Sequence, residues 1–193
     1  MIIGITGGTG CGKTTLLNLI ADMGGLIIDC DAVYHRLLQT DPAMLCAIKQ
    51  AFPGTVNDGI LDRKALGRIV FADSQALLQL NAITHAAVKK EVLRLLEEKP
   101  SLAAIDAIGL FEGGLAQLCD VTVAVTAPDA LRLQRLTARD GISEEYALSR
   151  IAAQNSNAYF SQLCDYTLEN SGTESAFQDK CLAFFRTLGI MKP

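Results

Sequence analysis

The residues with the clearest chemical meaning form a glycine-rich loop near the N-terminus. The segment 7–14 reads GGTGCGKT and matches the pattern G-x-x-x-x-G-K-[ST]; it lies between an apolar stretch, 2–6, and an amphipathic one, 16–20. Glycine lets the backbone turn tightly and bring successive N–H groups to phosphate oxygens, and the start of a following helix adds partial positive charge. The segment predicts a phosphate-binding loop, and a glycine-rich turn that only begins a helix is the weaker alternative. The predicted nucleotide-binding residues of this loop are Gly8, Thr9, Gly10, Cys11, Gly12, Lys13, Thr14 and Thr15.

Three side chains of the loop have individual expected properties. Lys13 is expected to reach the β- and γ-phosphates of ATP and to assist catalysis, and the Thr14 hydroxyl is expected to ligate Mg²⁺. Cys11 lies near the start of the helix, a position that lowers the pKa of a thiol. We therefore expect alkylation of Cys11 to block nucleotide binding.

Two carboxylates directly follow the next apolar segment, residues 26–28. Asp29 and Asp31 alternate along an extended segment, so both side chains are expected to face a cleft at the carboxyl end of a strand. One of them is placed to accept the proton of an acceptor hydroxyl while the hydroxyl oxygen attacks the γ-phosphorus. The alternative, that Asp31 only caps the following helix, is compatible with that role.

Two further acids follow in the next apolar region, 102–112. Asp106 ends a predicted strand as the acid of a Walker B strand does, so it could hold a Mg²⁺-bound water; a purely structural carboxylate is an equal alternative. Glu112 lies beyond it and could contact either the acceptor or the metal shell. The region therefore predicts acidic groups on the γ-phosphate side of the cleft.

Arginines form one stripe of a predicted helix. Arg132, Arg135 and Arg139 recur at i, i+3 and i+7, and Arg150 in the next helix could approach the same pocket. Arginine binds phosphoryl oxygens bidentately, so on an acidic chain this stripe suggests a phosphate clamp. Solvated surface arginines are the alternative for each single residue. Arg139 is favoured for catalysis, because the loop that follows it would fold over the nucleotide.

The elements that must position these residues are predicted from alternating apolar and amphipathic segments, which indicate βαβ units around a parallel sheet. The apolar segments are hydrophobic throughout, as in strands that are covered on both faces. Strands are predicted at 2–6, 26–28, 102–106, 121–125 and 166–168. Helices are predicted at 13–23, 31–39, 43–51, 63–71, 74–98, 110–117, 129–140, 143–154 and 173–188.

The length of 193 residues fits a single domain. We predict an α/β fold, a three-layer sandwich of the P-loop NTPase type with a five-stranded parallel sheet. Its core comprises residues 1–30, 100–128 and 161–193. A helical insertion at about 31–99 is far longer than a crossover needs and is expected to bind the acceptor, and residues 130–160 are expected to form a lid.

Composition narrows the classes of function. Half of the residues are hydrophobic and the formal net charge is −4, so a nucleic-acid binder is not expected. The chain begins without the basic region of a signal peptide and has no apolar run long enough to span a bilayer, so we expect a cytoplasmic protein that binds no membrane. The six cysteines are far apart, which favours reduced thiols over a zinc site. The two histidines, His35 and His85, lack the partners of a Ser-His-Asp arrangement, although His85 could line an acceptor pocket.

In their order along the chain, these motifs resemble the dephospho-coenzyme A kinase family of P-loop kinases. The resemblance runs through most of the chain, and the Asp-x-Asp pair combined with the long insertion is more specific than the phosphate loop. The matching segments are the loop 6–15, Asp29-Cys30-Asp31, Leu61-Asp62-Arg63-Lys64-Ala65-Leu66, Val70-Phe71, Leu80-Asn81-Ala82-Ile83-Thr84-His85, Asp106, Leu110-Phe111-Glu112, Gln134-Arg135-Leu136, Arg139-Asp140, Arg150-Ile151, Gln154 and Asn170-Ser171-Gly172.

The resemblance implies transfer of the ATP γ-phosphate to the ribose 3′-hydroxyl of dephospho-coenzyme A, with Mg²⁺ as cofactor. It implies that Asp31 is the base, that the insertion binds coenzyme A, and that the arginine helix, with Arg135 and Arg139 on the nucleotide, belongs to a closing lid. Asn170 and Gly172 then lie by the adenine of ATP. The expected substrate-binding residues are Asp29, Asp31, Arg63, His85, Asp106, Leu110 and Glu112. The expected partners are the two substrates, and the expected state is a monomer or a weak homo-oligomer.

The chain also departs from the family pattern. Ile108-Gly109 stands where the family has proline and leucine, and no basic residue follows Gln154 in the lid. These differences leave the phosphate loop intact and fall on the lid and on the acceptor side. Two alternatives stay open: a kinase of another small acceptor, such as a nucleoside monophosphate or a sugar acid, and a catalytically weakened nucleotide-binding paralogue.

Overall fold

A five-stranded parallel sheet forms the centre of the molecule in a computed structural model that describes residues 1–191. The strands are β1 (Ile2–Thr6), β2 (Leu26–Asp29), β5 (Ala103–Asp106), β6 (Val121–Thr126) and β7 (Tyr166–Glu169). They lie in the order β2-β5-β1-β6-β7, and every neighbouring pair is parallel. The predicted sheet is thus confirmed, and each predicted strand lies within one residue of its observed bounds.

Helices cover both faces of this sheet. Within residues 1–191 they are α1 (Lys13–Asp22), α2 (Cys30–Thr40), α3 (Pro42–Ala51), α4 (Arg63–Val70), α5 (Ser74–Leu96), α6 (Asp129–Asp140), α7 (Glu144–Ala152), α8 (Asn157–Leu163) and α9 (Glu174–Thr187). On one face, α1 and α9 pack on β1 and β6 around Leu16, Phe177 and Phe185, all of which are buried. On the other face, the insertion packs on β2 and β5 around Ile48, Val92 and Ile105. Burial on both faces explains why the strands are hydrophobic throughout.

The insertion consists of α2 to α5 and a small hairpin between α3 and α4. The hairpin pairs β3 (Val56–Asn57) with β4 (Ile60–Leu61), and its two turn residues, Asp58 and Gly59, both have positive φ. Two positive-φ residues between short antiparallel strands are typical of a type I′ turn, for which Asp-Gly is a preferred sequence. The hairpin was not predicted, although its Asp-Gly turn is present in the sequence.

Two further differences from the prediction concern helices. The helix predicted at 110–117 is a run of turns that ends in a 3₁₀ turn at Ala116–Leu118, because Gly114 adopts φ +63°, which an α-helix does not accommodate. The structure instead has the short helix α8, which was not predicted; the Ser156 hydroxyl caps it by accepting the N–H of Tyr159. None of the helices in residues 1–191 is both long and apolar enough to cross a membrane.

Candidate active site

The glycine-rich loop leaves the central strand β1 and runs directly into α1. Gly7, Gly10 and Gly12 have positive φ, and a Cβ at Gly7 would overlap the carbonyl oxygen of Val125. The Lys13 ammonium donates to the carbonyl of Gly7 at 2.9 Å and so spans the loop. This geometry produces a tight loop at the positive end of a helix, which is the arrangement that binds phosphate.

A cavity of about 620 Å³, called the loop cavity below, opens over the glycine-rich loop. It combines loop residues with Asp106 of the neighbouring strand and with two arginines of α6. Its lining residues are Gly8, Thr9, Gly10, Gly12, Lys13, Thr14, Asp106, Arg135, Ala138 and Arg139. Its volume suits a nucleotide-sized ligand.

The loop backbone is also held by side chains from the C-terminal part of the chain. Asn170 is buried and donates from Nδ2 to the carbonyl of Cys11 at 3.0 Å. Arg135 donates to Oδ1 of Asn170 at 3.0 Å and to the carbonyl of Gly10 at 3.3 Å. Asn170 therefore fixes the loop, and Arg135 fixes both the loop and Asn170.

The three arginines of the predicted stripe have different environments. Arg132 is only 2 % exposed: its Nε donates to the carbonyl of Thr9 at 2.9 Å and its Nη1 pairs with Asp129 at 2.9 Å. Arg139 is exposed, lines the loop cavity and pairs with Asp140, which also pairs with Arg150. Hydrogen bonds from Arg139, supported by Arg150, lower the pKa of Asp140 to about 2. The stripe is therefore not one uniform clamp, since Arg132 is a buried support of the loop.

Asp29 and Asp106 lie side by side at the carboxyl ends of β2 and β5, where they are partners in register. Asp29 caps α2: its Oδ1 accepts the backbone N–H groups of Asp31 and Ala32. The helix begins at Cys30, so Asp31 is helical and not extended. The expected extended alternation was wrong, although both acids line the same cavity. Asp31 is not the cap either, because Asp29 takes that role, and the carboxylate of Asp31 has no hydrogen-bond partner among residues 1–191.

Asp106 is the most perturbed carboxyl of the site. Burial raises its pKa to about 6, with the nearby charges of Asp29 and Asp31 acting in the same direction and that of Lys13 opposing them. Its Oδ1 is buried and has no hydrogen-bond partner among residues 1–191. A buried carboxylate oxygen without a partner fits a role in binding a cation or a water held by one.

A second space of about 240 Å³, the middle cavity, connects the acids to the phosphate loop. Thr9, Lys13, Asp106 and Arg139 line both this cavity and the loop cavity. The other lining residues of the middle cavity are Asp29, Asp31, Ala107, Ile108, Arg150 and Gln154. A group held here would be close both to the lysine and the arginine and to the carboxylates.

A third space of about 280 Å³, the helical cavity, lies between α2, α5 and the turns after β5. Asp31 lines both this cavity and the middle cavity. Its remaining lining residues are Cys30, Tyr34, Leu80, Asn81, Thr84, His85, Val88, Ala107, Ile108, Gly109, Gly113 and Leu115. Apolar walls with a few polar groups suit an aromatic base or a comparable small ring.

Comparison with known proteins identifies the family of the chain. The family model for dephospho-CoA kinase matches residues 1–175. The chain belongs to the dephospho-CoA kinase family. A dephospho-CoA kinase from Corynebacterium jeikeium is 37% identical over 176 residues, which cover 89% of this chain and 91% of that protein. The family resemblance inferred from the motifs is thereby confirmed, and the protein is an ATP-dependent kinase.

Solved structures agree on the fold. A crystal structure of a Thermus thermophilus protein superimposes with a TM-score of 0.81 at 33% identity and covers 100% of this chain and 98% of that one. A shikimate kinase from Bacteroides thetaiotaomicron superimposes with a TM-score of 0.55 at 14% identity, with 98% of each chain covered, which shows the fold alone. The predicted P-loop kinase fold is confirmed. Because a kinase with a differently named acceptor shares it, the fold does not choose the acceptor.

Several of the predicted site residues line none of the three cavities. Leu110 is fully buried in the core beneath the insertion, and Glu112 accepts the hydroxyl of Tyr159 at 2.8 Å. Arg63 lies beside the helical cavity: it approaches Nδ1 of His35 at 3.2 Å, and its charge partly offsets the burial that raises the pKa of Tyr34. Thr15 and Gly172 line none of the three cavities.

The expectation for Cys11 was wrong. Its side chain is fully buried, and burial raises the pKa of the thiol, against smaller lowering effects from Arg132 and Lys13. The backbone of Cys11 belongs to the loop, and its Sγ lies 4.0 Å from Oδ1 of Asn157. Burial therefore has a larger effect on the thiol pKa than the nearby helix N-terminus.

The sequence analysis did not assign site roles to several residues that line the cavities. Tyr34 on α2, and Asn81 and Thr84 on α5, line the helical cavity. Asp31 and Tyr34, and Asn81, Thr84 and Val88, recur at helical spacing, so each set lies on one face of its helix. This helical spacing could have identified these residues from the sequence. The position of Gln154 beside the loop had no local signal.

Proposed function

We propose that this protein transfers the γ-phosphate of ATP to the ribose 3′-hydroxyl of dephospho-coenzyme A, giving coenzyme A and ADP. The observation that carries the proposal is the position of Asp31, whose carboxylate lines both the helical cavity and the middle cavity beside Lys13 and Arg139. A hydroxyl that enters from the helical cavity would meet a base on its way to a phosphoryl group held by the loop.

On the nucleotide side, the loop amides and Lys13 would hold the phosphates of ATP. Arg139 lines the same cavity as the loop, and its guanidinium would neutralise charge on the moving phosphoryl group. The contacts of Asn170 and Arg135 with the loop support a preformed nucleotide site.

On the acceptor side, Asp31 would take the proton of the 3′-hydroxyl while the hydroxyl oxygen forms a bond to the γ-phosphorus. The bond from that phosphorus to the bridging oxygen breaks, and ADP leaves with the electron pair. Asp31 suits this role because Asp29 provides the helix cap, so the Asp31 carboxylate is not committed to backbone N–H groups.

The residues present also fit a Mg²⁺ ion. Residues 1–191 contain no group of three or more metal-ligating side chains, but Mg²⁺ in kinases takes one or two protein ligands and completes its shell with water and phosphate oxygens. The Thr14 hydroxyl and the unpartnered Oδ1 of Asp106 would hold it, the latter through water. When bound, the ion would screen the charge between the phosphates and the acids.

The same proposal assigns a separate role to each segment of the chain. The insertion, residues 31–99, supplies α2 and α5 and would bind the acceptor; residues 130–160 would close as a lid and exclude water that would otherwise hydrolyse ATP. We infer a cytoplasmic protein, since both substrates are soluble metabolites, that acts as a monomer or weak homo-oligomer.

Phosphate transfer from ATP to a panel of acceptors tests the proposal. The panel contains dephospho-coenzyme A, AMP, CMP, gluconate and water, with products identified by mass spectrometry. We expect dephospho-coenzyme A to be the preferred acceptor and to gain one phosphate on its ribose. Preference for another acceptor would assign the chain to a different small-molecule kinase, and ATP binding without transfer to any of them would identify a weakened paralogue.

A further inference from the structure

Gln154, at the end of the predicted lid, contacts the phosphate loop directly. Its Oε1 accepts the backbone N–H of Thr9 at 2.8 Å and Nη2 of Arg132 at 3.0 Å. Two donors converge on the same atom, and only the amide oxygen can accept them. The orientation of the amide is therefore determined, with the oxygen toward the loop and Nε2 turned away from it.

The other hydrogen bonds of Arg132 hold its side chain in place, so its bond to Oε1 of Gln154 is fixed. It is 2 % exposed, and its Nε and Nη1 donate to the carbonyl of Thr9 and to Asp129, both at 2.9 Å. Arg132 and Gln154 thus hold the N–H and the C=O of the same residue, Thr9, from one side. A buried guanidinium whose nitrogens are all bonded keeps its geometry, so it is a rigid support for the glutamine.

The other end of the amide is available to a ligand. Gln154 lines the middle cavity together with Lys13, Asp31 and Arg139. Its Nε2 makes no hydrogen bond to residues 1–191 and is not enclosed by them. It offers two N–H donors but no charge, so it can bind a phosphoryl oxygen without neutralising the carboxylate of Asp31.

We propose that Gln154 is a catalytic residue whose Nε2 donates a hydrogen bond to an oxygen of the γ-phosphoryl group, and that Thr9 and Arg132 are its positioning residues. The catalytic role of Gln154 rests on the proposed function. Its contact with the terminal phosphate involves only ATP and does not depend on the acceptor. A donor held in advance at the moving group stabilises its charge without reorganisation.

The decisive variant is Gln154→Glu, because it keeps an oxygen for Thr9 and Arg132 and replaces the donor by a negatively charged oxygen. Affinities for β,γ-methylene ATP and for ADP, each with Mg²⁺, are measured by calorimetry on the full chain. We expect the affinity for the ATP analogue to fall about tenfold or more. The affinity for ADP, which lacks the terminal phosphate, is expected to stay within about twofold.

Ala153→Glu is the matched control. It places the same carboxylate one residue earlier, on an exposed position that lines none of the three cavities, and both affinities are expected to remain unchanged. If Gln154→Glu does not fold, Gln154→Met removes the donor without adding charge. It also removes the oxygen that accepts from Thr9 and Arg132, so both affinities should fall, and the affinity ratio should shift in the same direction by a smaller factor.

Two results would overturn the proposal. One is an unchanged ratio of the two affinities in either Gln154 variant, including equal weakening of ADP and the ATP analogue, which would leave Gln154 as a support of the loop only. The other is the same shift in Ala153→Glu. Because the ratio is measured without an acceptor, wild-type protein that fails to phosphorylate dephospho-coenzyme A would refute the proposed function and leave this test intact.

Discussion

The phosphate loop and the helical cavity each have residues that line the middle cavity, but the two regions are built differently. The loop backbone is bonded by side chains that are distant in sequence, with Gln154 on Thr9, Arg135 on Gly10 and Asn170 on Cys11. The helical cavity is instead formed by helix packing: Thr84, for example, bonds a carbonyl of its own helix. Among the described residues, polar bonds shape the first region and apolar contacts shape the second.

The difference corresponds to what each region must bind. A phosphate chain is the same in every kinase, and a preformed cradle of amides binds it at low cost of reorganisation. An acceptor differs between kinases, and helices inserted between two strands can change their lining residues without disturbing the loop. The four experiments below test whether the two regions can be separated in this way, beginning with the largest expected effect.

Asp31→Asn tests the point where the two regions meet. We expect turnover to fall by about 10²–10⁴, the usual contribution of a general base, with ATP affinity nearly unchanged. Turnover is measured with dephospho-coenzyme A, and affinity by calorimetry. Asp29→Asn is the control: asparagine also caps helices, so α2 should keep its start and turnover should fall less. Equal effects of the two changes would remove Asp31 from the base role.

Arg132→Met and Arg139→Met form a matched pair on one helix. Arg139→Met should lower turnover by about tenfold or more through lost charge at the phosphoryl group, with little change in melting temperature. Arg132→Met should destabilise the fold by about 1–3 kcal/mol, because the carbonyl of Thr9 loses a buried partner, and any loss of turnover should accompany that lower melting temperature. Thermal melts and turnover measured on the same samples separate the two effects. If Arg139→Met lowered the melting temperature and Arg132→Met left it unchanged, Arg139 and not Arg132 would be the structural support.

His85→Ala tests the independence of the helical cavity. Losing one polar contact with the acceptor should raise the KM for dephospho-coenzyme A by about two- to tenfold. The KM for ATP should not change, since His85 lines the helical cavity and not the loop cavity. A parallel rise in both KM values would show that the two regions are coupled.

Thiol labelling has the smallest expected effect on the native protein. Cys46 is exposed and should react first with iodoacetamide, whereas Cys11 should stay unmodified because it is buried and burial raises the pKa of its thiol. Peptide mass spectrometry with and without ATP makes the comparison. Fast labelling of Cys11 that ATP prevents would contradict the buried position.

Much of the fold was predictable because its signals are local. The apolar runs of the five strands, the glycine pattern of the loop and the caps at Asp62 and Asp73 are each contained in a few neighbouring residues. The helix predicted at 110–117 failed for a local reason too, since glycines at 113 and 114 outweighed the apolar period. The hairpin at Asp58-Gly59 was overlooked although its signal is in the sequence.

The chemistry of individual side chains was less predictable. The stripe of Arg132, Arg135 and Arg139 was correctly placed on one helix, but its spacing could not tell a buried support from an exposed clamp. The two acids at 29 and 31 were correctly placed at a strand end, but which of them caps the helix depends on the residue at which α2 begins. In both cases the deciding quantity was the environment of the side chain.

By itself, the sequence determined the phosphate loop, the parallel sheet and the family, because a tight loop, a buried strand and a helix cap depend on residues that are close together in the chain. Only the tertiary structure decided which side chains hold that loop. Gln154 and Asn170 are separated from it by well over a hundred residues, and their contacts depend on the position of α7, which ends just before Gln154, and of β7, which pairs with β6. Hydrogen bonds between such distant residues depend on the relative positions of whole elements, which no local pattern specifies.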